Sequence, residues 1–333
     1  MIELRAIVDH LTDPANRGPV VLATLVKVEG SSYRRPGARL LLTPDGKRIG
    51  SISGGCLEED LIARARQVAA SGTAALVTYD TTSENDLIWG VGLGCNGIVR
   101  VLLEPLPTSP SWAPVMSANF RSHRSTALSV VWQGTNETRL GTKLSDAVSG
   151  LNSDAEVFRE EVPPPTRLFV LGAGDDAKPL VRLAKALGWH VTVGDPRAGF
   201  ANPLRFPDAD EITVAPTSEL VPLLNPPSDS LAVIMTHHYV HDVPLLRDLL
   251  PRSLAFVGLL GPKKRAAKIV SDLQNQGHAF TSAELRRLHA PVGLDLGAET
   301  PEEVALSIIS EMRATLAGRD GRPLRDRDRP IHG

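Results

Sequence analysis

The stretch TRLFVLGAGDDAKPLVRLAKALGWHVTVGDPR, residues 166 to 197, leaves the second half of this chain few ways to fold. An apolar run ends in Gly172-Ala173-Gly174. A helical pattern follows, with Leu180, Val181, Ala184 and Leu187 on its apolar face, and a second apolar run ends at Asp195. Strand, glycine turn, helix and strand in this register form a dinucleotide-type βαβ unit, with Ala177 in the third small position and an acid where a ribose is expected. Gly172 and Gly174 would let the backbone approach a pyrophosphate at the helix N-terminus. Arg197 suits a 2′-phosphate or simply lines the cleft. Asp175 and Asp176, however, put negative charge where that pyrophosphate would sit. The motif therefore fixes the fold more firmly than its occupancy by NAD(P), and a scaffold without dinucleotide is the competing reading.

Further apolar runs at 211–215, 231–238 and 254–261 alternate with helical patterns at 216–224 and 241–250. That alternation predicts an open parallel sheet, whose carboxyl edge is where ligands bind. THHYVHD, residues 236 to 242, brings His237, His238, His241 and Asp242 to that edge. Such a cluster can move protons or hold a metal, or it can be a solvated loop with one capping acid. GPKKRAAKI, residues 261 to 269, adds Lys263, Lys264 and Arg265, which suit a phosphate or a solvated helix start. Thr300, Pro301, Glu302 and Glu303 read as the start of a last helix with Val304, Ile308, Ile309 and Met312 as its core stripe.

At 333 residues the chain has length for two domains. EEVPPPT, residues 160 to 166, reads as the linker. The expected architecture is α/β: an N-terminal α+β domain at 1–160, a Rossmann-like parallel-sheet domain at 166–317, and a flexible tail at 318–333. In the first domain, residues 2–11 predict a helix, and strands are expected at 19–30, 39–42, 48–51, 74–79 and 98–103. Residues 107–117 read as loop, and two more strands are expected in 125–134 and 137–144. A net charge of -2 and 4% aromatic residues argue against nucleic acid as a partner. Two cysteines make no disulfide scaffold, which points to a reducing cytoplasm. Neither a signal peptide nor a membrane span is expected.

Those two cysteines share a setting. In GSISGGCLEED, residues 50 to 60, Ser53, Gly54 and Gly55 precede Cys56, and Leu57, Leu61, Ala65 and Val68 then fall at helical spacing. Ser53 reads as the N-cap, placing Cys56 at a helix N-terminus, where free N–H groups lower a thiol's pKa. In WGVGLGCNGIVRVLLEPL, residues 89 to 106, Gly90, Gly92, Gly94 and Gly97 surround Cys95. Four glycines so close together suit a loop wrapped on a ligand rather than core packing. The 39-residue separation, with no histidine between, is not a zinc signature. The plain alternative is a small buried cysteine in a tight turn.

GSSYRRPGARLLL (residues 30 to 42), GSISGGCLEE and WGVGLGCNG together resemble the N-terminal domain of the XdhC/CoxI family. The βαβ stretch, MTHHYVHD, VGLLGPKKRAAKI and APVGLDLGAETPEEVALSI resemble its Rossmann-like C-terminal domain. The resemblance implies an accessory protein, not a component of the mature enzyme. Such proteins bind the molybdenum cofactor, a molybdopterin, while its terminal sulfur is installed with a cysteine desulfurase. They then deliver it to a molybdenum hydroxylase apoenzyme such as xanthine dehydrogenase or CO dehydrogenase. It also implies a homodimer that carries a cofactor rather than turning one over. In that light Cys56 and Cys95 are candidate molybdenum or sulfur ligands, Gly54, Gly55, Gly94 and Asn96 line the loops, and Arg34 or Arg35 clamps the pterin phosphate. Asn96 stands where the family loop has glycine, and Pro262 where it often has serine. An NAD(P)-dependent oxidoreductase using His237 as acid or base is the alternative, although no Tyr-x-x-x-Lys pair is present. A docking scaffold without cofactor is another.

Overall fold

Period-2 burial along the central strands decides how the N-terminal part packs. The computed structural model describes residues 2–16, 18–55, 57–80, 97–134, 140–148 and 155–328. The chain divides into two compact units, Met1–Pro164 and Pro165–Gly333.

The first unit runs α1 (Ile2–Thr12), β1 (Val20–Gly30), β2 (Arg39–Leu42), β3 (Arg48–Gly50), α2 (Glu58–Ser71), β4 (Ala75–Asp80), β5 (Gly97–Leu106), α3 (Trp112–Arg121), β6 (Thr126–Gln133), β7 (Gly141–Leu144) and β8 (Glu156–Val162). An antiparallel sheet has the order β3-β2-β1-β5-β4, and a smaller one the order β7-β6-β8. Because side chains alternate across a strand, the large sheet has two apolar faces. Val21, Ala23, Leu25, Leu40, Val101 and Leu103 cluster with Leu57, Leu61, Ala65 and Val68 of the α2 region. Leu22 and Leu41 on the other face cluster with Ile7 of α1, Trp112 and Met116 of α3, and Leu128 of β6.

Charge is buried between the two sheets. Arg39 is 2% exposed and pairs with Glu160 of β8. Nearby Glu104 accepts the Thr142 N–H at 2.7 Å and the Thr142 hydroxyl. Burial pushes the Glu104 carboxyl up, against those two hydrogen bonds and the attraction of Arg39.

Two expectations need correcting here. Residues 112–117 are not loop but the start of α3, with Pro114 in the first turn, where its missing N–H is not needed. Residues 160–162 are not linker but the end of β8, whose EVFREEV is too acidic to show the apolar alternation of a strand.

The second unit runs β9 (Arg167–Leu171), α4 (Ala177–Ala186), β10 (His190–Asp195), β11 (Glu211–Val214), α5 (Thr217–Leu224), β12 (Leu231–Ile234), α6 (Tyr239–Leu249), β13 (Phe256–Leu259), α7 (Lys263–Asn275), α8 (Ser282–Arg286), β14 (Leu288–His289) and α9 (Pro301–Leu316). Its sheet, β11-β10-β9-β12-β13-β14, is parallel throughout. Leu168 and Val170 face a core that includes residues of α4 and α9. Phe169 and Leu171 face one that includes residues of α5, α6 and α7. This is the doubly wound arrangement expected from the sequence. Leu187, expected on the buried face of α4, is instead its 39% exposed C-cap, and Trp189 joins the core. The apolar run at 231–238 stops being strand at Ile234, and His237 beyond it is left-handed, with φ 57. Thr300 caps α9 in a full capping box, as expected.

Gly172 sits where the strand order reverses, with φ 120. A Cβ there would lie 2.5 Å from the Met235 carbonyl carbon. Gly172→Ala is therefore expected to cost about 2 kcal/mol or more, from left-handed backbone and backbone contact together. Gly199→Ala, with nothing within 4 Å of its Cβ position, should stay within about 0.5 kcal/mol. Amide exchange of β9 and β12 is the measurement, and equal protection in the two variants would contradict the close approach.

Candidate functional site

In the first unit the candidate site grows from the turn between β3 and α2. Glu58, first residue of α2, is 6% exposed. Its carboxylate accepts the Ser53 N–H at 2.9 Å, the Ile52 N–H at 3.3 Å and the Ser53 hydroxyl. The Ser53 Oγ in turn accepts the N–H groups of Gly55 and Leu57, each at 3.1 Å. Burial raises the Glu58 pKa, but these donors outweigh it and leave the carboxyl below its ordinary value. Ser53 is thus not the N-cap: that position is Leu57, without a side-chain cap. One hydroxyl instead holds the backbone on both sides of position 56.

Cys56 itself lies outside the described residues, as do Gly94, Cys95 and Asn96. Their immediate neighbours are described. A Cβ on Gly54 would meet the Tyr33 ring at 3.9 Å. Gly97 packs so closely on the Ser31 backbone that a Cβ would overlap the Ser31 carbonyl oxygen. The connection between β1 and β2 therefore touches the described flank of each cysteine. Gly55 adopts φ 116, as its place in the turn requires.

The two arginines of that connection differ. Arg34 forms an ion pair with Glu3 of α1 and donates to Ser51 at 3.2 Å. Arg35 is exposed and makes no ion pair among the described residues. Tyr33, 66% exposed beside Gly54, is a ring that periodicity and motif spacing do not single out. Its signal is an aromatic between two polar turn signals, where core packing does not call for one.

In the second unit the crevice beside Gly172 is crossed by the chain's own pairs. Asp195, at the end of β10, is 1% exposed, and both oxygens are taken. Oδ1 accepts from the Arg197 N–H and Nε at 2.9 and 2.8 Å. Oδ2 accepts from the Ala173 N–H and Arg197 Nη2, each at 2.8 Å. Burial raises the Asp195 pKa, yet the Arg197 and backbone donors bring it below the ordinary value. A ribose hydroxyl would have to displace the guanidinium to reach this acid. Arg197 and Arg205 stand 3.9 and 4.9 Å from the Phe200 ring centre.

At the α4 N-terminus Asp175 is paired with Lys178 at 2.7 Å and Arg205 at 2.9 Å. Asp176 meets His237 Nε2 at 2.6 Å, a contact that joins the glycine turn after β9 to the loop after β12. Gly174 is close enough to Asp176 that a Cβ would lie 2.5 Å from Oδ1. Asp242, fully buried, accepts from Thr236 and lies 3.4 Å from Arg265 Nε; burial pushes its pKa up. His238 and His241 are ring neighbours at 5.2 Å. Among the described residues no group of three or more His, Cys, Asp or Glu is placed to hold a metal. No described helix is long and apolar enough to cross a membrane.

A doubly wound Rossmann unit following a smaller antiparallel-sheet unit with a glycine-flanked cysteine loop defines a recognisable class of two-part protein. A family model of the XdhC Rossmann domain matches residues 168–312, and one of the XdhC and CoxI family matches residues 15–80. A probable xanthine dehydrogenase component of Bacillus subtilis is 35% identical over 315 residues, 89% of this chain and 92% of that protein. The chain belongs to the XdhC and CoxI family. The molybdenum cofactor insertion chaperone PaoD of Escherichia coli is 23% identical over 292 residues, 88% of this chain and 82% of that one. A crystal structure of a xanthine dehydrogenase from Bacillus halodurans superimposes with a TM-score of 0.80 at 32% identity, covering 95% of this chain and 96% of that one.

The Glu58 network gives a signed expectation. A carboxyl whose folded pKa lies below its unfolded value of about 4.5 stabilises the fold above that pH. Its contribution fades as pH falls from there through the folded value. Glu58→Gln should cost about 1–3 kcal/mol at pH 7, since the buried donors of Ile52 and Ser53 lose their charged acceptor. The gap between wild type and variant should close on acidification. Denaturant titrations at pH 7 and pH 3 measure it, and a gap independent of pH would contradict the network.

Proposed function

We propose that this protein holds the molybdenum cofactor as cargo while a cysteine desulfurase supplies its terminal sulfur. It then passes the cofactor to a molybdenum hydroxylase apoenzyme of the xanthine dehydrogenase type. The observation that carries this reading is the meeting of the Ser31–Tyr33 segment with Gly54 on one side and Gly97 on the other. Those glycines stand two residues from Cys56 and Cys95 respectively. Two relatives, a probable xanthine dehydrogenase component and a molybdenum cofactor insertion chaperone, support the same cargo and client.

The residues fit such a cargo in kind. Thiolates of Cys56 and Cys95 are soft donors suited to molybdenum or to a transferable sulfur. Gly54 leaves its backbone open to close approach beside Cys56, while Gly55 is held by Ser53; Gly94 and Asn96, expected to play the same part beside Cys95, lie outside the described residues. Arg35 supplies the phosphate contact, because Arg34 is already engaged by Glu3. The exposed Tyr33 ring offers an apolar face for the pterin. The bound cofactor would supply the redox chemistry; this chain binds it, orients it and shields its sulfur until transfer. The working unit is taken to be a homodimer.

The test is metal and pterin content after purification from cells with and without molybdenum-cofactor synthesis. Cys56→Ala and Cys95→Ala are expected to lose most bound molybdenum. Arg35→Gln should weaken retention about tenfold, the loss of one charged phosphate contact. Unchanged molybdenum in both cysteine variants would remove the cysteines from the site.

A further inference from the structure

At the opposite edge of the parallel sheet from the Gly172 turn lies an open depression of about 500 Å³. It is lined by Arg167, Asn225, Ser228, Arg252 and Ser253, with Pro226 and Pro227 forming one wall. Arg167 opens β9 and is half-buried, yet its guanidinium has no hydrogen-bond partner among the described residues, and its Nε is sealed from solvent. Arg252 follows α6, and among the described residues its guanidinium donates to the neutral Asn225 side-chain oxygen alone, at 2.9 Å. The hydroxyls of Ser228 and Ser253 have no hydrogen-bond partner among the described residues.

The chain is built to hold this shape. Asn225 and Asp229 both take left-handed backbone, with φ 40 and 65, and the Asp229 N–H is fixed on the Ser253 carbonyl at 3.0 Å. Two prolines stiffen the loop between them.

The charge balance favours an anion. The C-terminal ends of α5 and α6 reach this edge, and each brings about half a negative charge. Two guanidiniums exceed that sum by about one positive charge, and no carboxylate lines the depression. Glu211, the acid that Arg167 feels through space, is 62% exposed and makes no hydrogen bond to it. Burial lowers the Arg167 pKa, the mark of a cation that has given up water without gaining a counter-ion.

We propose that this depression is a binding site for a phosphate-class oxyanion, held by Arg167 and Arg252 with Ser228 and Ser253 as further donors. Planar guanidiniums and hydroxyls are the donor set for tetrahedral oxyanions. The site lies at the other edge of the sheet from the Gly172 turn, and it does not rest on the cargo assignment.

The probes are inorganic phosphate and glycerol 3-phosphate, titrated against the full chain at constant ionic strength with chloride as the control. Phosphorus NMR and calorimetry provide the readouts. Arg167→Gln and Arg252→Gln should each weaken phosphate binding about tenfold or more. Arg286→Gln, exposed on α8 and outside the depression, should leave it unchanged. Arg167 begins a strand, so Arg252→Gln and Ser253→Ala, both on the loop after α6, keep the test open if Arg167→Gln fails to fold. Competition between the two probes would identify a phosphoester end as the ligand; binding of inorganic phosphate alone would identify the free ion. No phosphate binding at millimolar concentration, or equal binding to wild type and both arginine variants, would overturn the proposal.

Discussion

The candidate site of the first unit depends on one buried carboxylate. Glu58 sits at the start of a helix, where the positive end of the macrodipole favours it, and turns back into the preceding loop. There it accepts the N–H groups of Ile52 and Ser53 and the Ser53 hydroxyl. A buried carboxylate with three donors is held far more firmly than a neutral turn, since releasing any donor leaves a charge short of solvation. The constraint passes on through Ser53 to the N–H groups of Gly55 and Leu57. The backbone on each side of position 56 is thus fixed by hydrogen bonds among the described residues.

The second unit also relies on carboxylates, for a different purpose. A Rossmann turn normally offers bare N–H groups to a pyrophosphate and a free acid to a ribose. Here Asp175 and Asp176 stand at the helix N-terminus, the first paired with Lys178 and Arg205 and the second hydrogen-bonded with His237. Both oxygens of Asp195 are engaged by Ala173 and Arg197. The close approach of Gly172 to Met235 serves the packing of strand ends. Close packing at the switch point and occupancy by a dinucleotide are thus separable properties of one motif.

How much of this could be read from residues alone follows from range. Strands β9 to β13, helices α4, α5 and α6 and the Thr300 cap of α9 are local patterns and appear where the periodicity places them, whereas α8 and the two-residue β14 are too short to carry one. β8 was hidden because a strand at an acidic, solvent-facing edge lacks the apolar alternation that marks a buried one, and because Glu160 finds its cation 121 residues away at Arg39. α3 was hidden by its proline, which reads as a breaker until its place in the first turn is known. Ser53 is legible as a loop-holding residue but not by its partner: Ser-to-helix spacing suggests a cap, whereas only coordinates reveal that Glu58 folds back. Arg34 and Arg35 are adjacent and identical in type, so nothing local separates the structural cation from the free one.

That separation has a consequence for binding. The connection from β1 to β2 is held at its start by the backbone contact of Ser31 with Gly97 and in its middle by Arg34 on Glu3. At its end Arg39 donates to the Gly37 carbonyl and pairs with half-buried Glu160. Fixing a backbone residue costs about 1–2 kcal/mol, and a loop left free would lose that at the moment of binding. Three anchors shift the loss to folding, where the buried sheets offset it. Tyr33 and Arg35, which alternate with the anchored positions, then face outward on a backbone already ordered. A charge and a ring displayed in this way bind a ligand without first having to organise their own support. Under the proposed function, the pairing of Arg39 with Glu160 would act on recognition from beneath the loop, through the geometry it imposes.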